Sequence, residues 1–128
     1  MTTKPGDLMS VADALSIEEG EAWQRSAISR AYYASFHRCL AWESGLPKKA
    51  PSVRQKGSEH QQLLNRLKKP NSSCSDKERQ LSIKLHSLLR SQRARRIKAD
   101  YRIDEDVTRK EMRRQLADAK QLFRACGD

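Results

Sequence analysis

The chain has 128 residues, with 26 Lys and Arg against 16 Asp and Glu, a formal net charge of +10 with the histidines neutral. A length of this order supports one domain around one hydrophobic core, and five Gly with four Pro are too few for the frequent turns of an all-β fold. Apolar residues at 37% and charged residues at 33% suit amphipathic helices with wide solvated faces, and the positive excess points to a polyanionic partner: RNA, DNA, nucleotides or an acidic protein.

The N-terminal stretch repeats Leu8, Val11, Ala12 and Leu15 at helical spacing, but Gly20 interrupts it, so residues 1–20 read as a short segment ahead of the main core at about 21–125. A long helix is expected from Glu21 to about Trp42, with Trp23, Ala27, Ile28, Ala31, Ala34, Cys39, Leu40 and Trp42 among its apolar positions. Its stretch Ser29-Arg30-Ala31-Tyr32-Tyr33-Ala34-Ser35-Phe36-His37 is apolar on nearly every side, which is the pattern of a helix buried within a bundle. Arg30 inside such a helix needs a partner, because an unpaired buried charge is costly. Arg30, Tyr33 and His37 are therefore expected to form a structural polar network. Ser44-Gly45-Leu46-Pro47 ends the helix, and a polar, basic loop runs from Lys48 to Gly57.

A third helix starts at Ser58, carries Leu63, Leu64 and Leu67, and stops before Pro70. Ser75-Asp76-Lys77-Glu78 has the spacing of a capping box and opens a fourth helix striped by Leu81, Leu85, Leu88 and Leu89. Thr108-Arg109-Lys110-Glu111 is a second such box, ahead of Met112, Leu116, Ala119 and Phe123 on a single face. Short loops between five helical segments suggest an all-α, antiparallel bundle with the helix from Glu21 near its centre. Cys39, Cys74 and Cys126 are odd in number and widely spaced, as expected of free thiols in a reducing compartment. The first residues lack the pattern of a signal peptide and no apolar run reaches a membrane-spanning length, so a soluble, cytoplasmic protein is expected.

Chemistry has few places to sit. Arg90, Arg93, Arg95, Arg96, Lys98 and Arg102 crowd one short stretch. A solvated helix end accounts for some of these cations; the whole cluster suggests a phosphate-contacting ridge, for which the planar guanidinium is suited. His37, His60 and His86 fall on three helices without metal-ligand spacing, and no Gly-rich phosphate loop or hydrolase motif is present. Neither a metal nor a cofactor is expected. Arg30 with His37, and Arg79 with His86, each share a helix face seven residues apart. An imidazole with a guanidinium can cleave RNA without a metal, the first moving a proton and the second stabilising charge on the phosphate.

The segment Ala27-Ile28-Ser29-Arg30-Ala31-Tyr32-Tyr33-Ala34-Ser35-Phe36-His37 resembles the signature helix of the HEPN family of small helical domains. Gly57-Ser58-Glu59-His60 is similar to the histidine-bearing start of that family's third helix, and Arg96-Ile97-Lys98-Ala99-Asp100-Tyr101 to the R-x-x-A-D-Y of its fourth. The resemblance implies a four- to five-helix bundle that dimerises through its long helices. It also implies an RNA- or nucleotide-directed component of a prokaryotic toxin–antitoxin or defence module. Some relatives are metal-independent ribonucleases; others are non-catalytic adaptors beside a nucleotidyltransferase or another acidic protein. Where the ribonucleases carry a histidine after the arginine, this chain has Asp100, and an ionised aspartate donates a proton poorly near neutral pH. The catalytic candidates are thus Arg79, His86, Arg96 and Asp100, and the phosphate-contacting candidates are Arg90, Arg93, Arg95, Arg96 and Arg102. Tyr101 is a candidate for base stacking or for accepting a modifying group.

Overall fold

The structure, a computed structural model, describes residues 2–50 and 57–128. These form five α-helices: α1 (Pro5–Ser16), α2 (Glu21–Ser44), α3 (Glu59–Lys68), α4 (Asp76–Tyr101) and α5 (Arg109–Ala125), with no strand among the described residues. Residues 51–56 of the expected basic loop lie outside them. No helix is long and apolar enough to cross a membrane among the described residues.

Local sequence accounts for most helix starts. The Ser58 side chain accepts from Gln61 N at 3.2 Å to open α3. At α4 the box is complete, with Ser75 accepting from Glu78 N and Glu78 accepting from Ser75 N. The box expected at α5 is only half formed. Thr108 caps Glu111 N at 3.1 Å, but the Glu111 carboxylate turns away to Lys98 Nζ at 2.9 Å, because a cation across the α4–α5 seam attracts it more strongly than a backbone amide. Gly20, at φ +113 and ψ 149, forms the turn between α1 and α2, a backbone conformation in which a side chain is strained.

Helix α2 is the central element, packed by α1, α4 and α5. Its first half carries Ala27, Ile28, Ala31 and Ala34, whose small side chains seat Met9 and Ala12 of α1 and Met112, Leu116 and Ala119 of α5. Its second half carries Tyr32, Phe36 and Cys39 against Leu63, Leu64 and Leu67 of α3, Leu85 and Leu89 of α4, and Leu122 of α5. Met9 and Ala12 extend the core beyond the expected 21–125, since the apolar stripe of α1 lies on α2 rather than in solvent.

Helix directions follow from paired contacts. Ser29 meets Asp100 while Ser35 meets Gln92, so α2 and α4 are antiparallel. Gln115 meets Ile28 while Arg38 meets Cys126 O, so α2 and α5 run parallel. One buried polar chain pins all three helices. Ser35 Oγ donates to Gln92 Oε1 at 2.7 Å, and Gln115 Nε2 donates to Gln92 O at 3.0 Å and Ile28 O at 3.2 Å. Arg95 then donates to Gln115 Oε1 at 3.0 Å and to Asp118 Oδ2 at 2.8 Å. The end of α4 is held differently: the Arg25 guanidinium on α2 donates to the carbonyls of Lys98, Ala99 and Arg102, acceptors that a helix terminus leaves without an internal donor.

The polar chain has a measurable stability. Gln115 is fully buried, so Gln115→Leu removes three hydrogen bonds without opening a large cavity. It is expected to lower unfolding stability by about 1–3 kcal/mol, read as a reduced denaturant midpoint at unchanged slope.

Candidate functional site

Successive residues on a helix point about 100° apart, so the basic run on α4 does not form the single ridge expected of Arg90, Arg93, Arg95, Arg96 and Arg102. Arg95 turns to α5 and is used in the buried polar chain. Arg93 turns to α3, where Nη1 donates to Gln61 Oε1 at 2.9 Å and Nε is buried with no hydrogen-bond partner. Arg90 and Arg102 are exposed, with Glu105 at 3.7 Å from Arg102. Arg96 alone points toward α2.

Around Arg96 the side chains converge. Its Nε donates to Asp100 Oδ2 at 2.9 Å, one helical turn away, and Ser29 Oγ from α2 donates to the same carboxylate oxygen at 3.1 Å. Arg96 Nη2 donates to the Tyr33 hydroxyl at 2.6 Å and to the Tyr101 hydroxyl at 3.3 Å. The guanidinium carbon lies 5.1 Å from the Tyr33 ring centre, 5.2 Å from that of Tyr101 and 5.9 Å from that of Tyr32, within the range of cation–π attraction. Burial by itself lowers the Arg96 pKa; Tyr33, Tyr101 and Asp100 more than offset it, and the pKa stands above its ordinary value. Among the described residues Nη1 of Arg96 has no partner, so one edge of an otherwise fixed guanidinium is uncommitted.

His60, at the start of α3, adjoins this cluster. Its ring packs on Phe36 at 4.4 Å, Tyr32 at 5.5 Å and Tyr33 at 5.9 Å between centres. Nδ1 is hydrogen-bonded to the Tyr32 hydroxyl at 2.7 Å, and burial holds that hydroxyl well above the usual phenol range. Burial, followed by the positive charges of Arg96 and Arg93, pushes the His60 imidazole below its ordinary pKa, against the opposing pull of Glu59. The arrangement joins a fixed guanidinium to an imidazole that favours its neutral form.

The other candidates lie elsewhere. Arg79 is occupied at the start of α4 by Asp76 and by Ser72 O at 2.9 Å. His86 Nδ1 is bonded to Leu64 O at 3.0 Å, and about 15 Å of helix axis separates it from Arg96. The network expected of Arg30, His37 and Tyr33 is not buried. Arg30 and His37 are exposed, the Arg30 guanidinium lies over the Tyr33 ring at 5.5 Å, and Tyr33 bonds to Arg96 instead. The buried face of α2 carries Ser29, Ala31, Tyr32, Ala34, Ser35 and Phe36, so the polar positions between them point outward. His60 is the residue that spacing alone missed. Its partners are on α2 and α4, and only its place at the capped start of α3 marked it. Compared with protein-family models, with curated proteins and with solved structures, the chain matches none.

The His60 shift has a pH consequence. A histidine whose folded pKa lies below its unfolded value binds fewer protons when folded, so stability falls as pH drops through and below about 6.5. His60→Gln is expected to flatten that decline, measured by thermal unfolding between about pH 5 and 8.

Proposed function

We propose that this protein is a HEPN-like, RNA-directed component of a prokaryotic toxin–antitoxin or defence module, working in the cytoplasm as a homodimer. Its centre acts as a metal-independent ribonuclease, with Arg96 recognising phosphate and His60 moving the proton. The observation that carries this reading is that Arg96 and His60, from different helices, flank one buried tyrosine. The guanidinium carbon is 5.9 Å from the Tyr32 ring centre and the imidazole centre 5.5 Å from it.

The chemistry follows from those groups. With Nδ1–H donating to the Tyr32 oxygen, Nε2 of a neutral His60 accepts the proton of a ribose 2′-hydroxyl. The freed oxygen attacks phosphorus and the bond to the 5′-oxygen breaks. That oxygen takes a proton from water, leaving a 2′,3′-cyclic phosphate and a 5′-hydroxyl end. Arg96 stabilises the charge gathered on the phosphate oxygens, and its fixed orientation removes the cost of reorganising during the reaction. Asp100 and Tyr33 are positioning residues, acting through Arg96. Trp23, Tyr101 and Ile103 are exposed apolar surface consistent with a second protomer.

One observation favours a second reading, a non-catalytic adaptor beside a nucleotidyltransferase or other acidic protein. Tyr101 is 68% exposed and holds its hydroxyl 3.3 Å from Arg96, which presents a phenol beside a cation to an incoming nucleotide. Purified protein is expected to cleave RNA in excess EDTA, and His60→Gln and Arg96→Ala are each expected to slow cleavage by about 100-fold or more while retaining helical circular dichroism. RNA left intact at every enzyme concentration would reject the ribonuclease and leave the adaptor.

A further inference from the structure

Helix α2 has a second polar face. Arg30, Tyr33, His37 and Ala41 recur at i, i+3, i+7 and i+11, and they line one wall of an open groove of about 700 Å³. The other wall is Thr3, Lys4, Pro5 and Leu8 at the start of α1, a segment outside the residues that carry the family resemblance. The volume lies within the range of small-molecule sites, roughly 300–1,000 Å³.

The lining sorts into two kinds of group. Lys4, Arg30 and His37 supply hydrogen-bond donors, and two of them are permanent cations near neutral pH. Among the described residues neither Arg30 nor the Lys4 ammonium makes an ion pair, whereas Arg25, Arg38, Arg66, Arg79, Arg95, Arg96 and Lys98 all do. The backbone at the start of α1 is already taken, since Lys4 N donates to Asp7 Oδ2 at 2.8 Å, so side chains must recognise any anion here. Tyr33, Pro5 and Leu8 supply the flat and apolar surface. Tyr33 is also held firmly, with its hydroxyl on Arg96 at 2.6 Å and its ring between two guanidiniums.

From these features the geometry points to a nucleotide-binding site in the α1–α2 groove, taking a nucleoside phosphate with its base against Tyr33 and its phosphate on Arg30, His37 and Lys4. A fixed aromatic ring accepts any base by stacking, and guanidinium and ammonium groups bind phosphate strongly in a partly enclosed site. The site is separate from the His60–Arg96 pair and shares with it only Tyr33, which contributes its ring here and its hydroxyl there. Nucleotide held in this groove needs no cleavage chemistry.

Calorimetric titration of the full chain with AMP, adenosine and inorganic phosphate tests the assignment. AMP is expected to bind at least about tenfold more tightly than phosphate or adenosine alone, since base and phosphate contacts combine. Arg30→Ala, His37→Ala and Tyr33→Ala should each weaken AMP binding about tenfold or more, the size of one good charged or stacking contact. Tyr33→Phe, which keeps the ring and loses the bond to Arg96, should stay within about twofold. Arg113→Ala removes one exposed charge from α5, away from the groove, and should also stay within about twofold. Equal affinity for AMP and phosphate, an equal loss in Arg113→Ala, or no AMP binding would each overturn the assignment. RNA cleavage is a separate readout, so a failure here leaves the ribonuclease reading to its own test.

Discussion

The structure depends on the fully buried side chains of Gln92 and Gln115 between α2, α4 and α5. An amide in a dry core must satisfy its donors and acceptors, or it costs about 1–3 kcal/mol per group left open. Only one register of the three helices lets Gln92 accept from Ser35 while Gln115 reaches both Ile28 O and Gln92 O. Alanines at 27, 31, 34 and 119 allow the close approach that this bonding needs, but small apolar surfaces slide easily against one another. Packing supplies the general attraction between these helices, and the polar chain selects the alignment.

That alignment sets the electrostatics of the outer face. With Gln92 fixed against Ser35, Arg96 comes one turn later on α4 beside Tyr33, and Asp100 one turn later again beside Ser29. The cation is thereby held by a carboxylate, two phenols and ring faces. His60 is brought to the same corner by the packing of Leu63, Leu64 and Leu67 on α2 and α4. A neutral imidazole beside a fixed guanidinium is therefore a product of helix packing, with each charge influencing the other through a half-buried medium.

Much of the fold was legible in the chain. The leucines of α3 and α4 and the Met112–Leu116–Ala119 stripe of α5 recur at helical spacing and are the residues found buried, and Ser58, Ser75 and Thr108 cap the helices they precede. The site was less legible. Arg96 and Asp100 share a helix and a turn, so their pairing could be read from spacing, whereas His60 meets Arg96 only through α2. The reading of Arg30 as a buried charge failed for a related reason. A helix hydrophobic on most sides still has a narrow outward stripe when its neighbours do not close around it, and Arg30, Tyr33 and His37 occupy that stripe.

By itself, then, the sequence determined helix number, most helix boundaries and the apolar faces, because capping and periodicity act within a few residues of chain. It also determined the strong positive charge, which follows from composition alone. Tertiary structure decided which cations remain available. Arg95 is consumed by Asp118 and Gln115, Arg25 by the end of α4, and Arg66 by Glu43, while Arg30 is left facing a groove and one edge of Arg96 is uncommitted. The division is physical: a guanidinium's fate depends on acceptors brought near it by helices distant in sequence, and no local pattern encodes that distance.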